Sequence, residues 1–128
     1  MNNKKVKILL IEDEPIITNM YVLKFKVEGL DLITADTFDS GRKMVAEIKP
    51  DLLLLDLQLD DNKSGFDILA EMKSNPATKN IPVYLLSNVR VAGNKEKGVA
   101  MGAIDFISKV DVRPDAVVKI VKAKLGSM

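Results

Sequence analysis

At 128 residues the chain has the length of one domain with room for a sizeable hydrophobic core. Its 47% hydrophobic and 29% charged residues describe a soluble globular protein, and 19 basic against 18 acidic residues leave a net charge of +1, which points to neither a nucleic-acid nor a membrane partner. With no cysteine and no histidine, disulfides, thiolates and imidazole chemistry are excluded, so any reaction must use carboxylates, hydroxyls and lysines.

No apolar stretch approaches membrane-spanning length, and Met1 to Lys5 leads into a strand without a signal-peptide core. The absence of cysteine suits a cytoplasmic protein. Val6 to Ile11 reads as the first strand, followed by the acidic run Glu12-Asp13-Glu14. Pro15 stands where a first helical turn tolerates proline, and Ile16, Met20, Leu23 and Val27 recur at helical spacing until Gly29. Leu32 to Ala35 is a short second strand. Thr37 is placed to cap a second helix with Met44, Val45 and Ile48 on its apolar face, and Pro50 ends it.

Leu52-Leu53-Leu54-Leu55-Asp56 is a continuous apolar run closed by an acid, the pattern of a strand buried on both faces. A third helix carries Phe66, Ile68, Leu69 and Met72 and closes before Asn75-Pro76. Val83 to Ser87 is the fourth strand. The fourth helix, Lys95 to Met101, is weakened by Gly98, which costs about 1 kcal/mol against alanine. Asp105 to Ser108 is the fifth strand, and Pro114 opens a last helix striped by Val117, Val118, Val121 and Leu125. Five strand–helix units in this rhythm predict an α/β fold: a doubly wound, five-stranded parallel sheet with helices on both faces, spanning 1–128 as one domain.

Parallel strands present their carboxyl ends on one rim, where open α/β sheets bind ligands. The residues expected there are Glu12, Asp13, Asp56, Ser87 and Lys109. Like charges about 4 Å apart repel by roughly 4 kcal/mol at an effective dielectric near 20, and a divalent cation relieves that repulsion. Hard oxygen ligands without histidine or cysteine favour magnesium. A serine hydroxyl and a lysine ammonium suit an anionic phosphoryl group. Together they describe phosphoryl transfer onto a carboxylate.

At these residues the chain resembles the response regulator receiver domain of two-component signalling, from Lys5 to Leu125. The resemblance rests on an acidic pair after the first strand, an aspartate ending the third, a hydroxyl ending the fourth and a lysine after the fifth. It implies the flavodoxin-like strand order 2-1-3-4-5 and a switch rather than a metabolic enzyme. It further implies that Asp56 accepts a phosphoryl group from a sensor histidine kinase or phosphotransfer protein. Asp13 and Asp56, with Glu12 acting through water and the Gln58 backbone carbonyl, would hold Mg2+. Ser87 and Lys109 would bind the phosphoryl group, with Ser87 and Phe106 as the switch pair. The face made by the fourth helix, fifth strand and fifth helix would meet a partner or a second copy in a homodimer. No direct contact with nucleic acid or membrane is expected.

The chain departs from the family pattern at four places. Asp60 stands where proline is usual, the Asp56–Gly65 loop is one residue longer, Asn88 replaces a small residue, and Val110 follows Lys109 where proline is common. Asp60-Asp61 reads as a polar loop rather than a second metal site. The acidic run argues against a flavin phosphate in the first loop, and Glu12 and Glu14 do not match an aspartate-nucleophile phosphatase. The alternative is a degenerate receiver that binds partners without phosphorylation. The chain ends after its fifth helix, as either a stand-alone regulator or a receiver cut from a longer protein.

Overall fold

The structure is a computed structural model that describes residues 5–59, 63–87, 92–109 and 111–127. Strands and helices alternate as β1 (Ile8–Ile11), α1 (Pro15–Val27), β2 (Leu32–Ala35), α2 (Phe38–Ile48), β3 (Leu52–Asp56), α3 (Gly65–Lys73), β4 (Val83–Ser87), α4 (Asn94–Ala100), β5 (Asp105–Ser108) and α5 (Pro114–Gly126). All strand pairs are parallel, in the order β2-β1-β3-β4-β5. The leucine run becomes the central strand, with β1 on one side and β4 on the other.

Side chains alternate across a strand, so each apolar run feeds two cores. Leu9, Ile11, Leu53, Leu55, Val83 and Leu85 pack with Val45 of α2 and Ile68, Leu69 and Met72 of α3. Ile8, Leu10, Leu52, Leu54, Leu86 and Ile107 pack with Tyr21 and Phe25 of α1 and Val117, Val118 and Val121 of α5. An uninterrupted leucine sequence is therefore what a strand between two cores demands. The first strand is shorter than its apolar run, because Val6 lies outside β1 and is 41% exposed.

The apolar spacing in α1 misleads. Ile16, Met20, Leu23 and Val27 face solvent, with exposures from 45% to 83%. The helix buries Tyr21 and Phe25 instead, with Ile17 packed beside them. Two stripes one residue apart compete for the core, and the stripe with the aromatic rings buries more apolar area.

Local signals behave as the sequence suggests. The Thr37 hydroxyl accepts from Ser40 N at 3.0 Å and starts α2, and Ser64 caps α3. Two of the glycines sit at close approaches rather than at turns. A Cβ on Gly65 would lie 2.3 Å from the backbone oxygen of Asp56, and one on Gly98 would lie 2.3 Å from Leu85 Cδ1. Gly98, a helix-weakening residue by propensity, is thus what lets α4 lie close on the sheet. Among the described residues no helix is long and apolar enough to cross a membrane.

Candidate functional site

The chain segments at the ends of β1, β3 and β5 carry charged side chains into the same small volume. Glu12 follows β1, and its backbone N–H still donates to Ala35 O at 3.0 Å, which holds it in the frame of the sheet. Asp56 is the last residue of β3, in register with Leu86. Ser87 ends β4, and its carbonyl accepts from Lys109 N at 2.8 Å, fixing the lysine just beyond β5. Strand pairing therefore sets the backbone positions, and the side chains meet because the strands are parallel.

Glu12, Asp13 and Asp56 each offer a carboxylate oxygen within 4.8 Å of the others. Glu12 is fully buried and Asp56 is 2% exposed, whereas Asp13 lies nearer solvent. Lys109, with 4% of its side chain exposed, donates from Nζ to Glu12 Oε1 and to Asp56 Oδ2, the latter at 3.2 Å. The second oxygen of each buried acid is held by backbone. Gln58 N donates to Asp56 Oδ1 at 3.1 Å, and Glu14 N donates to Glu12 Oε2 at 3.2 Å.

One ammonium lies among three carboxylates, and burial together with these charges sets the proton affinity of Glu12, Asp13 and Lys109. Burial raises the Glu12 carboxyl above its usual value; the Lys109 hydrogen bond opposes this, and the Asp56 charge adds to it. Burial and the neighbouring Glu12 likewise raise Asp13. Burial works to lower the Lys109 ammonium, yet its bonds to Glu12 and the charges of Asp56 and Glu12 outweigh this and raise it. Burial leads for Glu12 and Asp13, whereas for Lys109 the adjoining carboxylates outweigh it. Tyr21, beneath the site on α1, is pushed up to about 12 by burial and then by the charges of Glu12 and Asp56.

The structure thus brings together Glu12, Asp13, Asp56 and Lys109, with Ser87 at the end of the strand beside Asp56. Gln58 reaches Asp56 through its N–H, and its side chain is exposed. Phe106 is half-buried against the core that contains Leu85. Asp60, Asp61, Asn88 and Val110, where the family departures were noted, lie outside the described residues. The pairing of Lys109 with Glu12, 97 positions apart, carried no sequence signal, because either side chain alone reads as a partner for a ligand. An open groove of about 380 Å³ runs outward from Glu12 and Asp13 past Thr18, Asp36 and Ser40, so solvent comes up to Asp13 at the edge of the cluster.

A partly buried set of hard oxygen ligands with excess negative charge suits a small divalent cation, and no sulfur or imidazole competes for it. Fold and rim together define a doubly wound α/β protein with a cluster of three carboxylates and one lysine at its strand ends. Comparison with known proteins gives that class its family. The response regulator receiver domain family matches residues 8–122, and the chain belongs to it. It is a receiver domain of the two-component response regulators.

Among curated relatives, the phosphate regulon transcriptional regulatory protein PhoB of Escherichia coli is 32% identical over 103 residues, covering 80% of this chain and 44% of that protein. PhoB of Pseudomonas aeruginosa is 30% identical over 102 residues, with 80% and 44% covered. The chain therefore spans under half the length of these relatives. Among solved structures, the receiver domain of a DNA-binding response regulator from Colwellia psychrerythraea aligns with a TM-score of 0.85 at 26% identity, covering 95% of this chain and 99% of that one. The receiver domain of a LuxO repressor protein from Vibrio parahaemolyticus reaches a TM-score of 0.87 at 24% identity, with 97% and 92% covered, and supports the fold.

Proposed function

We propose that this receiver accepts a phosphoryl group on Asp56, with Mg2+ bound at Glu12, Asp13 and Asp56, and passes the signal on by changed protein contacts. The observation that carries the reading is the convergence of three carboxylates and one lysine at the carboxyl end of the central strand. An oxygen of Asp56 attacks the phosphorus of a phosphohistidine. The new O–P bond forms as the P–N bond breaks, and the imidazole leaves with the electron pair and takes a proton from solvent. Lys109 already touches Asp56 and offers positive charge to the phosphoryl oxygens; Ser87 offers a hydroxyl. When bound, magnesium supplies further charge neutralisation at those oxygens. The Gln58 backbone carbonyl completes the proposed cation ligands.

The donor is a sensor histidine kinase or a phosphotransfer protein, and the exposed α1 stripe is its seat on this reading. That stripe begins three residues after Asp13, so an apolar surface laid along Ile16, Met20 and Leu23 brings its donor group over the acidic rim. A groove of about 420 Å³ between α1 and the start of α5 continues the same surface through Val27 and Pro114. Phe106 and Ser87 form the switch pair, and the face of α4, β5 and α5, where Val99 and Ile104 are 46% and 45% exposed, receives the output partner or a second copy.

Incubation with acetyl phosphate and magnesium, followed by intact-mass measurement, tests the reading. One base-labile phosphoryl group is expected, absent in Asp56→Asn. Equal labelling of that variant would overturn the assignment. No labelling of the parent, with magnesium bound, would favour a receiver that works by phosphorylation-independent contact.

A further inference from the structure

Ser108 is the last residue of β5 and stands in register with Ser87 of β4. Its side chain lies on the face of the strand that carries Phe106, since Ile107 between them points into the opposite core. Ser87 lies two residues after Leu85 and shares that face. The Ser108 hydroxyl oxygen is buried and finds no hydrogen-bond partner among the described residues. Buried hydroxyls are almost always paired, so an orphan one asks what partner another state supplies.

We propose that Ser108 is a positioning residue whose hydroxyl donates to Ser87 Oγ once Ser87 has turned toward the phosphoryl group, so that Ser108, Ser87 and a phosphoryl oxygen form one hydrogen-bonded chain. This rests on the reading of Asp56 as phosphoacceptor. A serine hydroxyl has one proton and two lone pairs; spending the proton on a phosphoryl oxygen leaves the lone pairs to accept from Ser108. In such a chain each bond polarises the next. The resting protein carries a hydroxyl unsatisfied among the described residues, and the phosphorylated protein satisfies it. Ser108 thereby biases the equilibrium toward the switched state without touching the phosphoryl group or the cation.

Beryllofluoride with magnesium serves as the phosphoryl mimic, with affinity measured by calorimetry for the parent, Ser108→Ala and Ser108→Thr. Ser108→Ala is expected to bind the mimic roughly five- to tenfold more weakly, the size of one hydrogen bond's effect. It should keep the parent's affinity for magnesium alone and melt no lower than the parent. Ser108→Thr, which retains the hydroxyl, should restore mimic affinity, and a merely structural role would not produce that rescue. Equal mimic affinity in parent and Ser108→Ala would overturn the role of Ser108 alone. If the parent itself binds no mimic in magnesium, the phosphoacceptor reading falls and this inference with it.

Discussion

Lys109 is shared between Glu12 and Asp56, donating to one oxygen of each while backbone N–H groups hold the other two. A lysine just past the end of β5 thus locks together the ends of β1 and β3, and it is the only cation in contact with these two buried acids among the described residues.

Removing that cation should be expensive. Lys109→Met leaves two carboxylates buried without their counter-charge, and breaking a buried pair by deleting one partner costs about 3–5 kcal/mol. In EDTA the variant should unfold at much lower urea than the parent, with magnesium recovering part of the loss. An unchanged urea midpoint would show that the ammonium contributes nothing to the metal-free fold.

Magnesium itself should stabilise the parent, because it binds the folded cluster and not the unfolded chain. At a tenfold excess over its dissociation constant the gain is about 1.4 kcal/mol, or roughly 3–6 °C in Tm. Asp13→Asn should remove most of that increment. Asp56→Asn should raise the stability of the metal-free protein by about 1 kcal/mol, since it deletes one repelling charge and keeps an oxygen for Gln58 N. Differential scanning calorimetry with and without magnesium reads all three.

The pH dependence follows from the direction of the shifts. Glu12 and Asp13 titrate above their ordinary 4.5 and 3.8 in the folded protein. The native state then holds protons that the unfolded chain has released, so this part of the stability falls as pH rises above those ordinary values and through the raised ones. In EDTA, ΔG of unfolding should be lower at about pH 7 than at about pH 5, and Glu12→Gln should flatten the slope. Lys109 is raised above 10.5, so its contribution is complete below that value and is lost only as pH climbs through the folded pKa. A stability that rises steadily from about pH 5 to about pH 7 in the metal-free parent would contradict the assigned directions.

Gly65→Ala tests the seam between the site and α3. The added Cβ meets the Asp56 carbonyl oxygen at 2.3 Å, and backbone cannot swing aside as a side-chain tip does. Overpacking of this kind costs about 1–3 kcal/mol, larger than the helix propensity alanine adds at a first turn. Urea unfolding should show the loss, and labelling by acetyl phosphate should slow because the acceptor's own backbone is displaced. A variant as stable as the parent would mean that the loop relaxes freely.

Leu23→Lys separates donor docking from chemistry. Leu23 is 65% exposed, so the substitution should change stability by no more than about 0.5 kcal/mol. Labelling by acetyl phosphate should match the parent, while transfer from a histidine phosphotransfer protein that phosphorylates the parent should slow by about tenfold or more. Unimpaired transfer would move the donor's seat off α1.

The strand–helix rhythm, the Thr37 cap, the Pro15 and Pro114 helix starts and the acids at strand ends were all legible along the chain, because each depends on neighbours a few residues away. Leu52 to Leu55 determined by itself that one strand must lie between two cores, since no half-exposed strand tolerates four leucines. What the chain could not disclose are relationships between residues far apart in it. Which α1 stripe is buried depends on the shape of the sheet that Tyr21 and Phe25 meet, and a periodicity of 3.6 fits either stripe. That Lys109 pairs with Glu12 as well as Asp56 depends on the register that brings three strand ends to one rim. Gly98 reads as a flaw in a helix until Leu85 is seen beneath it, and the Ser108 hydroxyl gives no signal until burial leaves it without a partner among the described residues. Propensity and pattern act locally, whereas packing and electrostatics are set by distances that only the folded chain creates.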